Sequence, residues 1–145
     1  MIIIKSPTTK EDFKAYYALR YHVEREPGGH PRGTEKDDFE PISTHFMAVD
    51  DKGGDVVGVA RLFEKEAGTG QLSHIDVHED WERQGIGRKL AEAVEVEARR
   101  QGYQRLGCMA HQSTIEFLEK LGFQVKGMHS NPFGNVQLIW MEKDL

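Results

Sequence analysis

Ile75-Asp76-Val77-His78-Glu79-Asp80-Trp81-Glu82-Arg83-Gln84-Gly85-Ile86-Gly87-Arg88-Lys89-Leu90 is the stretch that decides how this chain folds. Its first residues are β-prone, its centre is a polar loop, and two glycines lead into a run with Ile86, Leu90, Val94 and Ala98 at four-residue spacing. That spacing predicts a helix with one apolar face. The amides of a first helical turn have no internal partner, and with the helix dipole they form an anion site suited to a diphosphate. Arg83, Arg88 and Lys89 add positive charge. A loop that merely starts a helix would share these features. A Walker A loop needs Gly-Lys-Ser/Thr, which is absent, and a dinucleotide fingerprint wants a third glycine where Leu90 stands.

Before this stretch, Ile2 to Lys5 reads as a strand. Thr8 and Glu11 suggest a capping box for a helix from about Thr9 to Glu24, with Phe13, Tyr16, Tyr17 and Arg20 on one side. Glu26 to Pro41 reads as a long loop with a turn of helix near Lys36. Three strands follow, Thr44–Val49, Val56–Phe63 and Gln71–His78, separated by glycine-rich turns in an antiparallel meander. After the helix that ends near Gly102 come a strand at Arg105–Ala110, a helix at Ser113–Lys120 closed by Gly122, and strands at Gln124–Met128 and Val136–Glu142 around a turn at Asn131–Gly134. The strand–helix–strand step implies a parallel pair beside the meander. The class is mixed α/β with a central sheet.

Composition bounds the rest. A chain of 145 residues predicts one domain. Nineteen basic against 24 acidic residues give a net charge of −5, which argues against a nucleic-acid binder held by a general basic field. The single cysteine, Cys108, excludes an intrachain disulfide and suits a reducing compartment. No apolar run approaches the ~20 residues that span a bilayer. A cytoplasmic protein with no membrane partner is expected.

The segment resembles motif A of the GNAT superfamily of acyl-CoA-dependent N-acetyltransferases: Ile75, Val77, Gly85 and Gly87 match in type and spacing. Downstream, Phe117-Leu118-Glu119-Lys120-Leu121-Gly122-Phe123 is similar to a second block of that family, and Gly58-Val59-Ala60-Arg61-Leu62 resembles its third strand. The similarity spans about residue 44 to the C-terminus. Leu19-Arg20-Tyr21-His22-Val23 through Glu35, Asp38 and His45 looks like a small stand-alone bacterial-type member. The resemblance implies a single N-acetyltransferase domain over residues 1–145, with a twisted, mostly antiparallel mixed sheet of about seven strands. It also implies a V-shaped splay after strand four. Acetyl-CoA would be the cosubstrate and a small-molecule or peptide amine the acceptor. Backbones of Ile75 and Val77 would hold the pantetheine arm and acyl carbonyl. Amides of Arg83, Gln84, Gly85, Gly87 and Arg88 would hold the pyrophosphate, and His111 stands where many members carry a pantetheine-contacting Asn. Two positions depart from the pattern. Glu82 stands where Gln or Arg is usual, and is expected to face solvent. Leu118 stands where a Tyr often protonates the leaving thiolate.

The implied chemistry is direct attack by the amine on the thioester, with a strand amide near Val77 stabilising the oxyanion. The family's carboxylate base often lies where Gln71 stands, which cannot serve. His74 and His111 are the candidate bases, although for each a structural or surface histidine is the commoner role. Strand alternation predicts His74, Asp76 and His78 on one face and Gln71, Ser73, Ile75 and Val77 on the other. His74 and His78 would then stand about 13 Å apart, too far to share a metal. Nothing else has ligand spacing, so no metal is expected. Cys108 reads as a core residue. Glu35 to Glu40 could attract a cationic amine or be a solvated acidic loop. Two other functions fit: an acyl-CoA-binding sensor or structural protein without turnover, and an acyltransferase with longer donors, similar to homoserine-lactone synthases through Arg20, Glu35 and Asp38. A homodimer through an edge strand such as Val136–Glu142 is possible.

Overall fold

The fold is described from a computed structural model, over residues 1–130 and 137–145. In chain order the elements are β1 (Ile2–Lys5), α1 (Lys10–Glu24), β2 (Thr44–Asp50), β3 (Val56–Glu66), β4 (Thr69–Val77), α2 (Ile86–Arg100), β5 (Arg105–Ala110), α3 (Ile115–Lys120), β6 (Gln124–Ser130) and β7 (Gln137–Asp144). One seven-stranded sheet runs β1-β2-β3-β4-β5-β7-β6. Among the described residues only β4 and β5 pair in parallel, as a strand–helix–strand crossover requires. The expected turn at Asn131–Gly134 and the start of the last strand at Val136 lie outside the described residues.

The sheet separates two cores. On one face α2 and α3 pack through Ile86, Leu90, Val94, Ala98 and Leu118 against alternate residues of the central strands, Leu62, Leu72 and Leu106 among them. On the other face α1 packs through Tyr16 and Leu19 against Met47, Val49 and Val59. Gly58 lets the first turns of α2 lie close to β3: a Cβ there would come within 2.9 Å of Leu90 and 3.1 Å of Ile86.

Two irregularities in β4 shape the centre of the molecule. Its pairing with β5 covers only Thr69–Leu72 against Arg105–Cys108. Beyond Leu72 the two strands diverge, which is the expected V-shaped splay. On its other edge, Val59 pairs with Asp76 and Arg61 with Ser73, so one residue of β3 faces two of β4, His74 and Ile75. This is a β-bulge, and His74 adopts φ +52° within it.

The bulge overturns the expected alternation. Ser73, sorted from sequence with Ile75 and Val77, instead shares the α1 face with Asp76, because the extra residue inverts the parity of everything before it. Three smaller expectations also shift. The capping box of α1 is Thr9 with Asp12, one residue beyond Thr8 and Glu11. The segment after α1 has 3-10 turns at Glu26–Gly28 and Glu40–Ile42 and none at Lys36. β7 lies between β5 and β6, so the edges are β1 and β6, and the last strand cannot be the free edge of a dimer.

Candidate active site

The splay and the start of α2 sit at the same end of the sheet, because α2 runs back antiparallel from the end of β4. The backbone groups lining the gap follow from register. The amide of His78 donates to Val57 of β3 at 2.9 Å. Alternation then turns the amides and carbonyls of Ile75 and Val77 away from β3, into the gap left by β5. Their side chains pack on the α2 core.

Gly85 caps α2 at φ +79°, and Arg83 before it has φ +64°. A left-handed residue reverses the chain sharply here, at little cost for glycine. The first helical hydrogen bond is from Lys89 to the Gly85 carbonyl, 3.1 Å. The amides of Ile86, Gly87 and Arg88 therefore have no helical partner, and Arg83, Gln84, Gly85 and Arg88 are exposed. Ile86 belongs to this set although its buried side chain hides it in the sequence. Glu82 is exposed, as expected. Free amides at a helix start with the field of a 15-residue helix behind them fit a diphosphate.

The opposite face of the bulge is built from side chains. His74 Nδ1 lies 2.8 Å from both carboxylate oxygens of Glu24, at the end of α1, and its Nε2 lies 3.6 Å from Asp37 Oδ2. Asp76 approaches the same Glu24 carboxylate. Its Oδ2 is buried with no donor facing it among the described residues. A proton on Asp76 resolves this: burial first, then the hydrogen bond and charge of Glu24, push its carboxyl up to about 10. Burial would raise Glu24 too, but hydrogen bonds from His74 and Asp76 outweigh it and hold Glu24 below its ordinary value.

Arginines anchor the surroundings. Arg20, fully buried, donates to Glu40 at 2.9 Å, to the Tyr16 hydroxyl at 2.8 Å and to the Glu35 carbonyl at 3.2 Å. Arg61 donates to Asp37 and Glu40, both at 2.6 Å, and to Ser73 at 2.9 Å. Burial would raise Asp37, but the Arg61 guanidinium holds it well below the usual carboxylate range. Lys36 to Phe39 are exposed, as a solvated loop requires, but Asp37 and half-buried Glu40 are bound to arginines. Asp38 is exposed, and Arg20 reaches Glu35 only at its backbone, so Arg20, Glu35 and Asp38 form no shared carboxylate site. Arg20 carried the one sequence signal for this network: a charge four residues after Tyr16 on the apolar side of α1 calls for a buried partner.

The remaining candidates are placed apart. His111 directly follows β5 on the far lip of the splay, exposed, its amide donating to Thr114 Oγ1 at 3.1 Å. It makes no hydrogen bond with His74 among the described residues. Leu118 is 2% exposed and is a core residue. Cys108 is buried, and burial pushes its thiol up to about 12. Spacing missed two groups of potential metal donors whose atoms lie within 4.8 Å: His22, His78 and Glu79, and Asp37, Glu40 and His74. In the second, Arg61 already bridges Asp37 and Glu40. In the first, the imidazoles of His22 and His78 stack 5.1 Å apart, and His78 Nδ1 accepts from the Asp80 amide at 3.0 Å. Beside Val77, between α1 and the turn after β4, a cavity of about 360 Å³ is rimmed by Glu26, Glu79 and Glu82.

Residues 10–123 match the acetyltransferase (GNAT) family. An aminoglycoside 6'-N-acetyltransferase complexed with coenzyme A superposes with TM-score 0.83 at 18% identity, over 98% of this chain and 96% of that one. A GNAT family acetyltransferase from Elizabethkingia anophelis with acetyl-CoA bound gives 0.80 at 19%, over 99% and 98%. The ribosomal-protein-S18-alanine N-acetyltransferase of Escherichia coli gives 0.74 at 21%, over 99% and 94%. At these identities the likeness concerns the fold. No described helix is long and apolar enough to cross a membrane.

Proposed function

We propose that this chain, which belongs to the acetyltransferase (GNAT) family, moves an acetyl group from acetyl-CoA to a primary amine of a small molecule or peptide by direct attack. The observation that carries this is the meeting of two features at one end of the sheet: the gap beyond Leu72 and Cys108, and the free amides opening α2. The amides of Arg83 to Arg88 hold the diphosphate. The Ile75 and Val77 backbones hold the pantetheine arm, with His111 against it from the far lip.

The acyl group supplies an electrophilic thioester carbon. The coenzyme's phosphates belong on the α2 side, so the amine enters from the α1 side, where the bulge presents His74. An amine protonated at neutral pH must lose a proton before it attacks, and His74 is placed to take it. His111 is the second candidate base. Leu118 offers no acid, and a thiol of pKa about 8.5 leaves without one. The carboxylates around the cavity beside Val77 favour a positively charged acceptor.

Thiol release from acetyl-CoA with polyamines, aminoglycosides, amino acids and peptides tests the reading. Turnover with an amine, faster with acetyl than with long-chain donors, is expected. Activity only with long-chain donors, or coenzyme binding without turnover across the panel, would overturn it.

A further inference from the structure

We propose that Glu24 is a positioning residue for His74: its carboxylate fixes the imidazole with hydrogen on Nδ1, leaving Nε2 as the basic nitrogen on the acceptor side of the splay. The inference rests on the reading of His74 given above and deepens it.

The tautomer follows from donor and acceptor chemistry. Both oxygens of Glu24 lie 2.8 Å from Nδ1. An ionised carboxylate only accepts, so Nδ1 must carry the hydrogen. A neutral imidazole then has its lone pair on Nε2. Asp37 Oδ2 stands 3.6 Å from that nitrogen, outside hydrogen-bonding range, so among the described residues Nε2 is not consumed.

Glu24 is kept able to do this by its neighbours. Asp76, largely buried beside it, has an orphaned oxygen that only a proton relieves. Two carboxyl groups sharing a buried site hold one negative charge between them, and the charge rests on Glu24, which has the imidazole as well. The bulge holds the backbone of His74 at φ +52°, which sets the direction in which its Cα–Cβ bond leaves the strand. When Nε2 takes a proton from the entering ammonium, the imidazolium charge forms against Glu24; the proton then passes to water.

The carboxylates around His74 are Glu24 of α1 and Asp37 and Glu40 of the segment before β2, with Asp76 of β4 bonded to Glu24, Arg20 of α1 to Glu40, and Arg61 of β3 to Asp37 and Glu40. Among the described residues only Glu24 hydrogen-bonds its Nδ1.

The test is nitrogen-15 NMR of the imidazoles in the whole protein without acceptor, with His74→Gln identifying the signal. The wild type should show neutral His74 as the Nδ1–H tautomer. In Glu24→Gln, whose side-chain amide can donate as well as accept, the Nε2–H tautomer should become populated. In the same variant kcat should fall about tenfold or more, with KM for acetyl-CoA unchanged. An Nε2–H tautomer in the wild type, or a variant with the tautomer and kcat both unchanged, overturns the inference. The wild-type spectrum decides the tautomer even if the variant folds poorly. Should no amine be acetylated, the proposed function falls, while the spectra still decide the role of Glu24.

Discussion

The two faces of the bulged strand are built on different principles. The α2 face presents backbone: free amides at Ile86 to Arg88 and the strand groups of Ile75 and Val77, with few side chains needed. The α1 face presents side chains: Arg20, Glu24, Asp37, Glu40, Arg61, His74 and Asp76, drawn from four separated stretches of chain. A backbone site depends on where glycines allow the chain to turn. A side-chain site depends on every partner keeping its charge. The first should break by local strain and the second by charge removal, each without the other.

The largest effect is expected at Arg61→Leu. Exposed Asp37 and half-buried Glu40, which keeps Arg20, would both lose the guanidinium that bonds them at 2.6 Å, and each charged hydrogen bond lost costs about 1.5–3 kcal/mol. Urea denaturation should show that loss, while coenzyme affinity measured at low temperature on folded protein stays within about twofold. A matching fall in affinity would mean that the faces are coupled.

Gly85→Val should act in the opposite sense. A β-branched residue at φ +79° is strained by about 1–3 kcal/mol, and relief of that strain tilts the amides that follow. CoA affinity should drop about tenfold or more, with the His74 tautomer unchanged. An affinity equal to wild type would remove the α2 start from the binding site.

Asp76→Asn should stabilise the protein. Its carboxyl is raised from 3.8 to about 10 by folding, so the folded state binds this proton more tightly than the unfolded one. The contribution is most favourable below about pH 4 and declines as pH climbs toward 10. Asn cannot ionise, so the variant should melt higher than wild type at pH 8, by at least about 1.4 kcal/mol, with the difference gone near pH 4. A variant less stable at pH 8 would show that Asp76 is ionised in the fold.

The smallest effect is expected at Arg88→Ala. Its exposed pair with Glu92 contributes no more than about 0.5 kcal/mol to stability. CoA affinity should weaken a few-fold, and the difference should shrink as salt is added.

The contrast also explains what the sequence discloses. Glycines and apolar spacing mark the α2 start directly, because a backbone site is local in the chain; Ile75, Val77, Gly85 and Gly87 stand where the motif puts them. The strand order was legible for the same reason, except that nothing local shows β7 inserting between β5 and β6. The α1 face could not be read this way. Glu24 and His74 are 50 residues apart and Arg61 and Asp37 are 24 apart, and only the folded sheet brings them together. Strand alternation failed at Ser73 because a bulge is a pairing defect set by the partner strand. His74 was legible as a candidate, its orientation by Glu24 was not.

Calorimetric titration with CoA and with pantetheine, which lacks the diphosphate together with its phosphoadenosine, gives the decisive comparison. The amides opening α2 should make CoA bind at least about tenfold more tightly than pantetheine, and Gly85→Val should erase most of that advantage. Equal affinity for the two, or no heat with CoA at millimolar concentration while an unrelated nucleotide binds, would contradict it.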